Sequence, residues 1–223
     1  MQTPRYIFAD DFSAFETYFK SVPGRRRSFK KGDSLWAAGQ PFSPVYYILS
    51  GLALTCIHHE EGHRKILSFH GKGTVFPVYH GNRFKIERSI ATQALEDVEA
   101  LEFSPPQFRR MMEESFPLTE TVIDWYASYV NLLLYETAHQ EYNSAFIKLC
   151  NLLYLLAERE ETEAGPVIYL SQEELADILA ANRVNLSRNI SRLRQEGVIA
   201  TSRKQIRILR PDLLAAHCSS ETL

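Results

Sequence analysis

The segment from Ser171 to Gly197, SQEELADILAANRVNLSRNISRLRQEG, leaves the fewest options open. Ser171-Gln172-Glu173-Glu174 has the form of a capping box. The serine hydroxyl accepts from the backbone N–H three residues on and Glu174 reaches back, so a helix starts here. Leu175, Ile178 and Leu179 then recur at helical spacing, and the pattern breaks at Ala180-Ala181-Asn182, ending on a residue that caps a second helix well. In that helix Leu186, Ile190 and Leu193 fall on one face at about 100° per residue, so Val184, Arg188, Ser191 and Gln195 point the opposite way, flanked by Ser187 and Arg192. The outward face is hydroxylated and basic.

Two short helices joined by a tight turn, the second with a polar and cationic outer face, make a helix-turn-helix pattern. Ala176 is small where the helices approach, Leu175, Leu179 and Leu186 supply a shared core, and Arg183 opens the second helix. Glycine is usual where Ala180 stands; a left-handed alanine there costs about 1 kcal/mol. After Gly197, Val198-Ile199-Ala200, the polar Thr201-Ser202-Arg203-Lys204-Gln205 and Ile206-Arg207-Ile208-Leu209 read as a two-stranded wing with a basic tip. The net charge of the whole chain is only −2, but between Arg183 and Arg210 eight Arg or Lys stand against the single acid Glu196. That net +7, next to an acidic stretch from Glu158 to Glu163, is the footprint of a phosphate-facing surface. The expected DNA-facing set is Ser171, Arg183, Val184, Ser187, Arg188, Ser191, Arg192, Arg203 and Lys204.

At 223 residues and 45% hydrophobic content the chain has enough apolar material for one large domain or two small ones. No arginine-led apolar signal opens it and no apolar run reaches membrane-spanning length, so a cytoplasmic protein without a membrane partner is expected. Cys56, Cys150 and Cys218 are odd in number, far apart and without CxxC spacing. They are expected as free thiols, with no disulfide framework and no metal site.

Phe8, Phe12, Phe15, Tyr18 and Phe19 suit a short amphipathic lead-in helix within residues 1–24. From Arg25 to Phe103 short β-rich runs such as Val45-Tyr46-Tyr47-Ile48-Leu49 and Leu52-Ala53-Leu54-Thr55-Cys56-Ile57 alternate with glycine turns, which indicates a sandwich or barrel-like roll. The run Lys31-Gly32-Asp33, Gly39-Gln40, Val45-Tyr46-Tyr47-Ile48-Leu49-Ser50-Gly51 resembles the opening of a cyclic-nucleotide-binding β-roll, with Trp36 and Phe42 in places where smaller residues are usual. Followed by a long helix and a winged helix-turn-helix, it resembles the Crp/Fnr family of bacterial transcription regulators. The resemblance implies an α+β fold with three parts. An N-terminal antiparallel β-roll of the double-stranded β-helix type, with its lead-in helix, covers residues 1–115. A long dimerisation helix covers 116–142, and a C-terminal winged helix-turn-helix domain covers 143–223.

Within the long helix Leu118, Val122, Trp125, Tyr129, Leu132, Glu136 and His139 follow a 4-3-4-3 spacing, and Ile123, Tyr126, Val130 and Leu133 form a second apolar row beside it. Two adjoining stripes suit a helix that packs on its own chain and also pairs with a symmetry mate. The dimer interface is assigned to Val122, Trp125, Tyr129 and Leu132. The resemblance implies a homodimer that binds double-stranded DNA at a pseudo-palindromic promoter site, with RNA polymerase as a further partner.

Cyclic-nucleotide binders of this kind carry Gly-Glu for the ribose and Arg-Ser or Arg-Thr for the cyclic phosphate. An ungapped placement puts these on Pro77-Val78 and Ile86-Glu87. Valine accepts no ribose hydrogen bond and glutamate repels phosphate. Arg88-Ser89 would serve only if the loop were two residues longer. The effector pocket is assigned to Phe76, Val78, Tyr79, Arg88, Tyr126, Val130, Leu133 and Leu134, a mainly apolar set that points to a small molecule other than cyclic AMP and of unknown identity. No cofactor is expected. Two alternatives are a haem or redox sensor, for which His70 or His80 would be axial ligands, and a cupin-like metal enzyme built on His58-His59-Glu60. Adjacent strand residues face opposite ways, so His58 and His59 do not line one site. No GxSxG nucleophile motif is present, and no catalytic residue is assigned.

Overall fold

The computed structural model describes residues 2–39, 44–77, 80, 84–157 and 166–223. Gln40, Phe42, Val78, Tyr79, Gly81, Asn82 and the acidic stretch from Glu158 to Glu163 lie outside the described residues. The chain forms two compact units, one of Ile7–Ala127 and one of Met1–Tyr6 with Ser128–Leu223. The division falls inside the long helix.

Among the described residues the Ile7–Ala127 unit carries nine strands: β1 (Ile7–Phe8), β2 (Arg25–Phe29), β3 (Ser34–Trp36), β4 (Val45–Ser50), β5 (Leu52–His58), β6 (Arg64–Gly71), β7 (Val75–Phe76), β8 (Ile90–Ala94) and β9 (Val98–Phe103). They form two sheets, ordered β1-β6-β5-β8-β3 and β2-β9-β4-β7. All pairings are antiparallel except β1 on β6, so the roll is antiparallel with one parallel edge. Inward residues Phe29, Leu35, Tyr46, Ile48, Ala53, Ala94, Val98 and Ala100, drawn from both sheets, make one core cluster. The β4–β5 turn needs Gly51: its φ is +85° and a Cβ there would stand 2.2 Å from the Asp97 carbonyl oxygen.

The lead-in departs from the helix expected over its aromatic residues. Phe8 lies in β1, Ser13–Phe15 is a 3-10 turn, and only Glu16–Ser21 is helical (α1). The aromatic rings decide this locally. Phe19 stacks on Tyr47 with centroids 4.5 Å apart and also meets Phe103 and Phe108, which outweighs weak helix propensity in so short a segment. Helix α2 (Pro105–Glu114) starts on a Ser104 capping box. The long helix α3 (Phe116–Tyr142) follows, and its Trp125 packs among Phe8, His70 and Phe76.

In the other unit α4 (Ala145–Ala157) is buried along most of its length. Its polar Asn151 accepts from the Ser219 backbone N–H at 3.0 Å, and Tyr135 shares a 2.7 Å hydrogen bond with Thr222, so the C-terminal segment closes on α4 and the second half of α3. Then come β10 (Val167–Ile168), α5 (Gln172–Leu179), α6 (Arg183–Gln195), β11 (Ile199–Ser202), β12 (Gln205–Ile208) and α7 (Pro211–Ala215). The wing read as two strands is a three-stranded sheet, ordered β10-β12-β11. A two-residue strand like β10 leaves no periodic signal in the sequence. Cys56 and Cys150 are buried free thiols and Cys218 is half-buried. Burial pushes the Cys150 thiol up to about 12, so it is inert as a nucleophile.

Candidate nucleic-acid interface and effector region

Helix α5 begins where the sequence says it should. The Ser171 hydroxyl accepts from the Glu174 N–H at 3.1 Å, and Glu174 accepts from the Ser171 N–H at 2.7 Å and from its hydroxyl at 2.6 Å. Ser171 was expected to face DNA, but its hydroxyl is engaged as a helix cap as both donor and acceptor. Ala180 ends α5 with φ 47° and ψ 42°, left-handed as the turn demands. Asn182 then accepts from the Val184 N–H at 2.8 Å and starts α6. Leu175, Ala176, Ile178 and Leu179 of α5 and Leu186, Ile190 and Leu193 of α6 are buried, which fixes the rotation of α6.

That rotation leaves Arg183, Val184, Ser187, Arg188, Ser191 and Arg192 exposed. Val184 is 58% exposed, an unusual place for a branched apolar side chain unless something covers it. Arg183 donates to Glu173 at 2.5 Å, while Arg188 has no side-chain partner among the described residues. At the wing tip Arg203 and Lys204 are exposed, and Lys204 turns the strand with φ 56°. Arg192 differs from the rest. Its guanidinium carbon lies 3.8 Å from the centroid of the Phe146 ring and its Nε donates to Glu196 at 2.7 Å. The i,i+4 spacing of Arg192 and Glu196 was readable, whereas Phe146 and His217, which complete the group, are remote in sequence and gave no signal.

In the β-roll unit Phe76 is buried and stacks on His70 with centroids 3.8 Å apart. His70 is itself fully buried, with Nε2 3.0 Å from the Ser68 hydroxyl, and burial lowers its pKa to about 3, so it is a neutral core imidazole. Glu87 is buried and places its carboxylate 3.2 Å from His80 Nε2. Tyr126 is pushed up to about 12, by burial first and then by the Glu87 charge. Arg88, Val130, Leu133 and Leu134 are exposed, and Val130, Leu133 and Leu134 belong to the other compact unit. Val78 and Tyr79 lie outside the described residues. Phe76 therefore belongs to the aromatic core, and the buried carboxylate of Glu87 acts on Tyr126 through its charge. His59 stands 3.8 Å from Glu61 in the β5–β6 turn, but no three potential ligands gather around a metal position among the described residues.

Residues 147–217 match the model of a Crp-like helix-turn-helix domain, and residues 26–115 match that of a cyclic nucleotide-binding domain. The chain belongs to the Crp/Fnr family. It is 22% identical over 197 residues to the global nitrogen regulator of Nostoc sp., covering 84% of this chain and 86% of that one. It is 26% identical over 179 residues to a probable transcriptional activator of Rhizobium leguminosarum bv. viciae, covering 78% and 72%. In fold it is similar to FixK2 from Bradyrhizobium japonicum, with a TM-score of 0.77 at 17% identity over 89% of this chain and 99% of that one. Crp/Fnr proteins are transcription regulators and not enzymes, which removes the cupin-like alternative.

For a Crp/Fnr chain the faces of α3 matter most. Val122, Trp125 and Leu132, expected at a dimer interface, are between 0 and 3% exposed within the single chain. Side chains enclosed to that degree by their own fold present little surface of their own to a partner. Ile123, Val130 and Leu134 are 59, 49 and 66% exposed and lie along one side of the helix at spacings of seven and four. No helix among the described residues is long and apolar enough to cross a membrane.

Proposed function

We propose that this Crp/Fnr regulator acts as a cytoplasmic homodimer that reads a pseudo-palindromic site in double-stranded DNA and engages RNA polymerase there, under control of a small-molecule effector other than cyclic AMP. One observation carries the reading: a buried triad of Leu186, Ile190 and Leu193 turns Arg183, Val184, Ser187, Arg188 and Ser191 outward on one helix, beside a wing tip made of Arg203 and Lys204. A helix of this width and charge fits the major groove, and a two-fold pair of them addresses half-sites about one helical turn apart. The exposed row Ile123, Val130 and Leu134 supports self-association, because such a stripe on α3 is costly to leave in water. Glu87, buried in the β-roll, supports an effector that is not a cyclic phosphate.

Arg188 reaches base edges from the middle of the groove-facing side, and Val184 offers apolar contact, for instance to a thymine methyl. Selection from randomised duplexes tests this. Wild type is expected to enrich a palindrome; Arg188→Ala should lose about 1–3 kcal/mol and relax one base pair in each half-site, while Lys204→Ala should weaken all sequences alike and lower the salt slope by about one unit. If wild type enriched no sequence, the reading would fall. If Arg188→Ala lost affinity equally on every duplex, Arg188 would be a phosphate contact instead.

A further inference from the structure

The end of the recognition helix is held by a closed group of four side chains. The Arg192 guanidinium covers the Phe146 ring at 3.8 Å from its centroid, and its Nε donates to Glu196 Oε1 at 2.7 Å. The other oxygen of Glu196 stands 2.9 Å from His217 Nε2, and the His217 ring meets Phe146 edge-on at 5.1 Å and 76°. Arg192 and Glu196 belong to the last turn of α6 and its cap, Phe146 to α4, and His217 to the segment after α7, so the group ties three parts of one compact unit together. The carboxyl of Glu196 is held below the usual carboxylate range, by the Arg192 hydrogen bond first and with a smaller contribution from His217, which keeps it ionised for both partners. Arg188, one turn back, has no such tether among the described residues.

We propose that Arg192, Glu196, Phe146 and His217 form a clamp that sets the position of the recognition helix, so that Arg192 is a positioning residue and not a contact to DNA. The proposal rests on the DNA-binding reading above. The physical reason is geometric. A guanidinium lying flat on an aromatic ring and directed along its edge at a carboxylate has lost the freedom to follow a phosphate, while that same arrangement fixes the helix end to α4. A few tenths of an ångström at the end of α6 change how Arg188 meets a base edge, so a residue that touches no nucleotide governs affinity.

The test uses the full chain and four variants: Arg192→Ala, Arg192→Met, His217→Gln and the double variant Arg192→Ala with His217→Gln. Binding to the selected duplex is measured across a salt series. The clamp predicts that Arg192→Ala and His217→Gln each weaken binding roughly three- to tenfold, with the salt slope of wild type retained. Arg192→Met, which loses the charge but keeps a flexible side chain over Phe146, should recover part of the loss. The double variant should be no weaker than the worse single one, because both break one unit. A phosphate contact predicts otherwise: Arg192→Ala and Arg192→Met equally weak, each with a slope lower by about 0.9, and His217→Gln like wild type. That result overturns the proposal, as do additive losses in the double variant. Thermal unfolding of the same four variants without DNA decides the coupling of Arg192 to His217 on its own, so failure of the clamp and failure of the DNA-binding reading are told apart.

Discussion

Ala180 holds the turn between α5 and α6 at φ 47°, a conformation that a Cβ makes unfavourable and that glycine adopts freely. Ala180→Gly is therefore expected to stabilise the DNA-binding unit by about 0.5–1 kcal/mol, seen as a higher urea midpoint with an unchanged slope; a lower midpoint would mean that glycine's extra freedom in the unfolded chain outweighs the relief. This position, like the Ser171 cap, was legible from the sequence because its cause lies within four residues of it. The group around Arg192 was not legible for the opposite reason, since Phe146 and His217 come to it only through tertiary packing. His70 shows a third case: an imidazole that reads as a candidate ligand is a neutral core residue with its pKa lowered to about 3 by burial. The unfolded chain takes up a proton at that residue as pH falls through about 6.5, and the folded chain does not until about 3. Stability contributed by the neutral form is thus present above the unfolded value and is lost as pH falls through that window, by up to about 1.4 kcal/mol per pH unit. His70→Phe should flatten the dependence of unfolding free energy on pH between about 6.5 and 4, whatever it does at neutral pH; parallel curves for the two proteins would show that His70 is protonated in the folded state.

At the level of elements, α3 carries two apolar rows, and only the structure says which row its own chain uses. Both rows have helical spacing and similar residues, so periodicity gives the existence and length of such a helix but not its rotation. Rotation is set by Trp125 entering the ring cluster of Phe8, His70 and Phe76, and Phe8 is in that cluster because its segment is a strand and not the helix expected. The departure of the lead-in from a helix and the rotation of α3 therefore have a common origin. The two faces call for different outcomes on substitution. Ile123→Glu or Val130→Glu should give folded monomers by light scattering and circular dichroism, since these side chains are exposed in the single chain. Trp125→Ala should instead destabilise the fold by about 3–5 kcal/mol through the cavity it leaves. A dimer unaffected by charge at both Ile123 and Val130 would place self-association elsewhere.

For the molecule as a whole, the charge pattern and the buried groups of the β-roll point to different partners for different units. A net charge of −2 conceals a recognition segment of eight basic residues and one acid, and that uneven distribution was legible without any structure. The chemistry of the effector was less so, because it depends on which loop residues turn inward. Glu87 does turn inward: it is buried, and its carboxylate stands 3.2 Å from His80 Nε2. An anionic ligand brought against this buried carboxylate meets repulsion that falls off slowly at low dielectric, and that repulsion takes free energy from binding. Cyclic AMP is accordingly expected neither to bind tightly in calorimetry nor to change the affinity of the chain for its selected duplex, and Glu87→Gln, which removes the charge and keeps the shape, is expected to improve whatever weak binding exists. A micromolar or tighter constant for the wild type would mean that the cyclic phosphate is held away from Glu87, with Arg88 as the residue to test next.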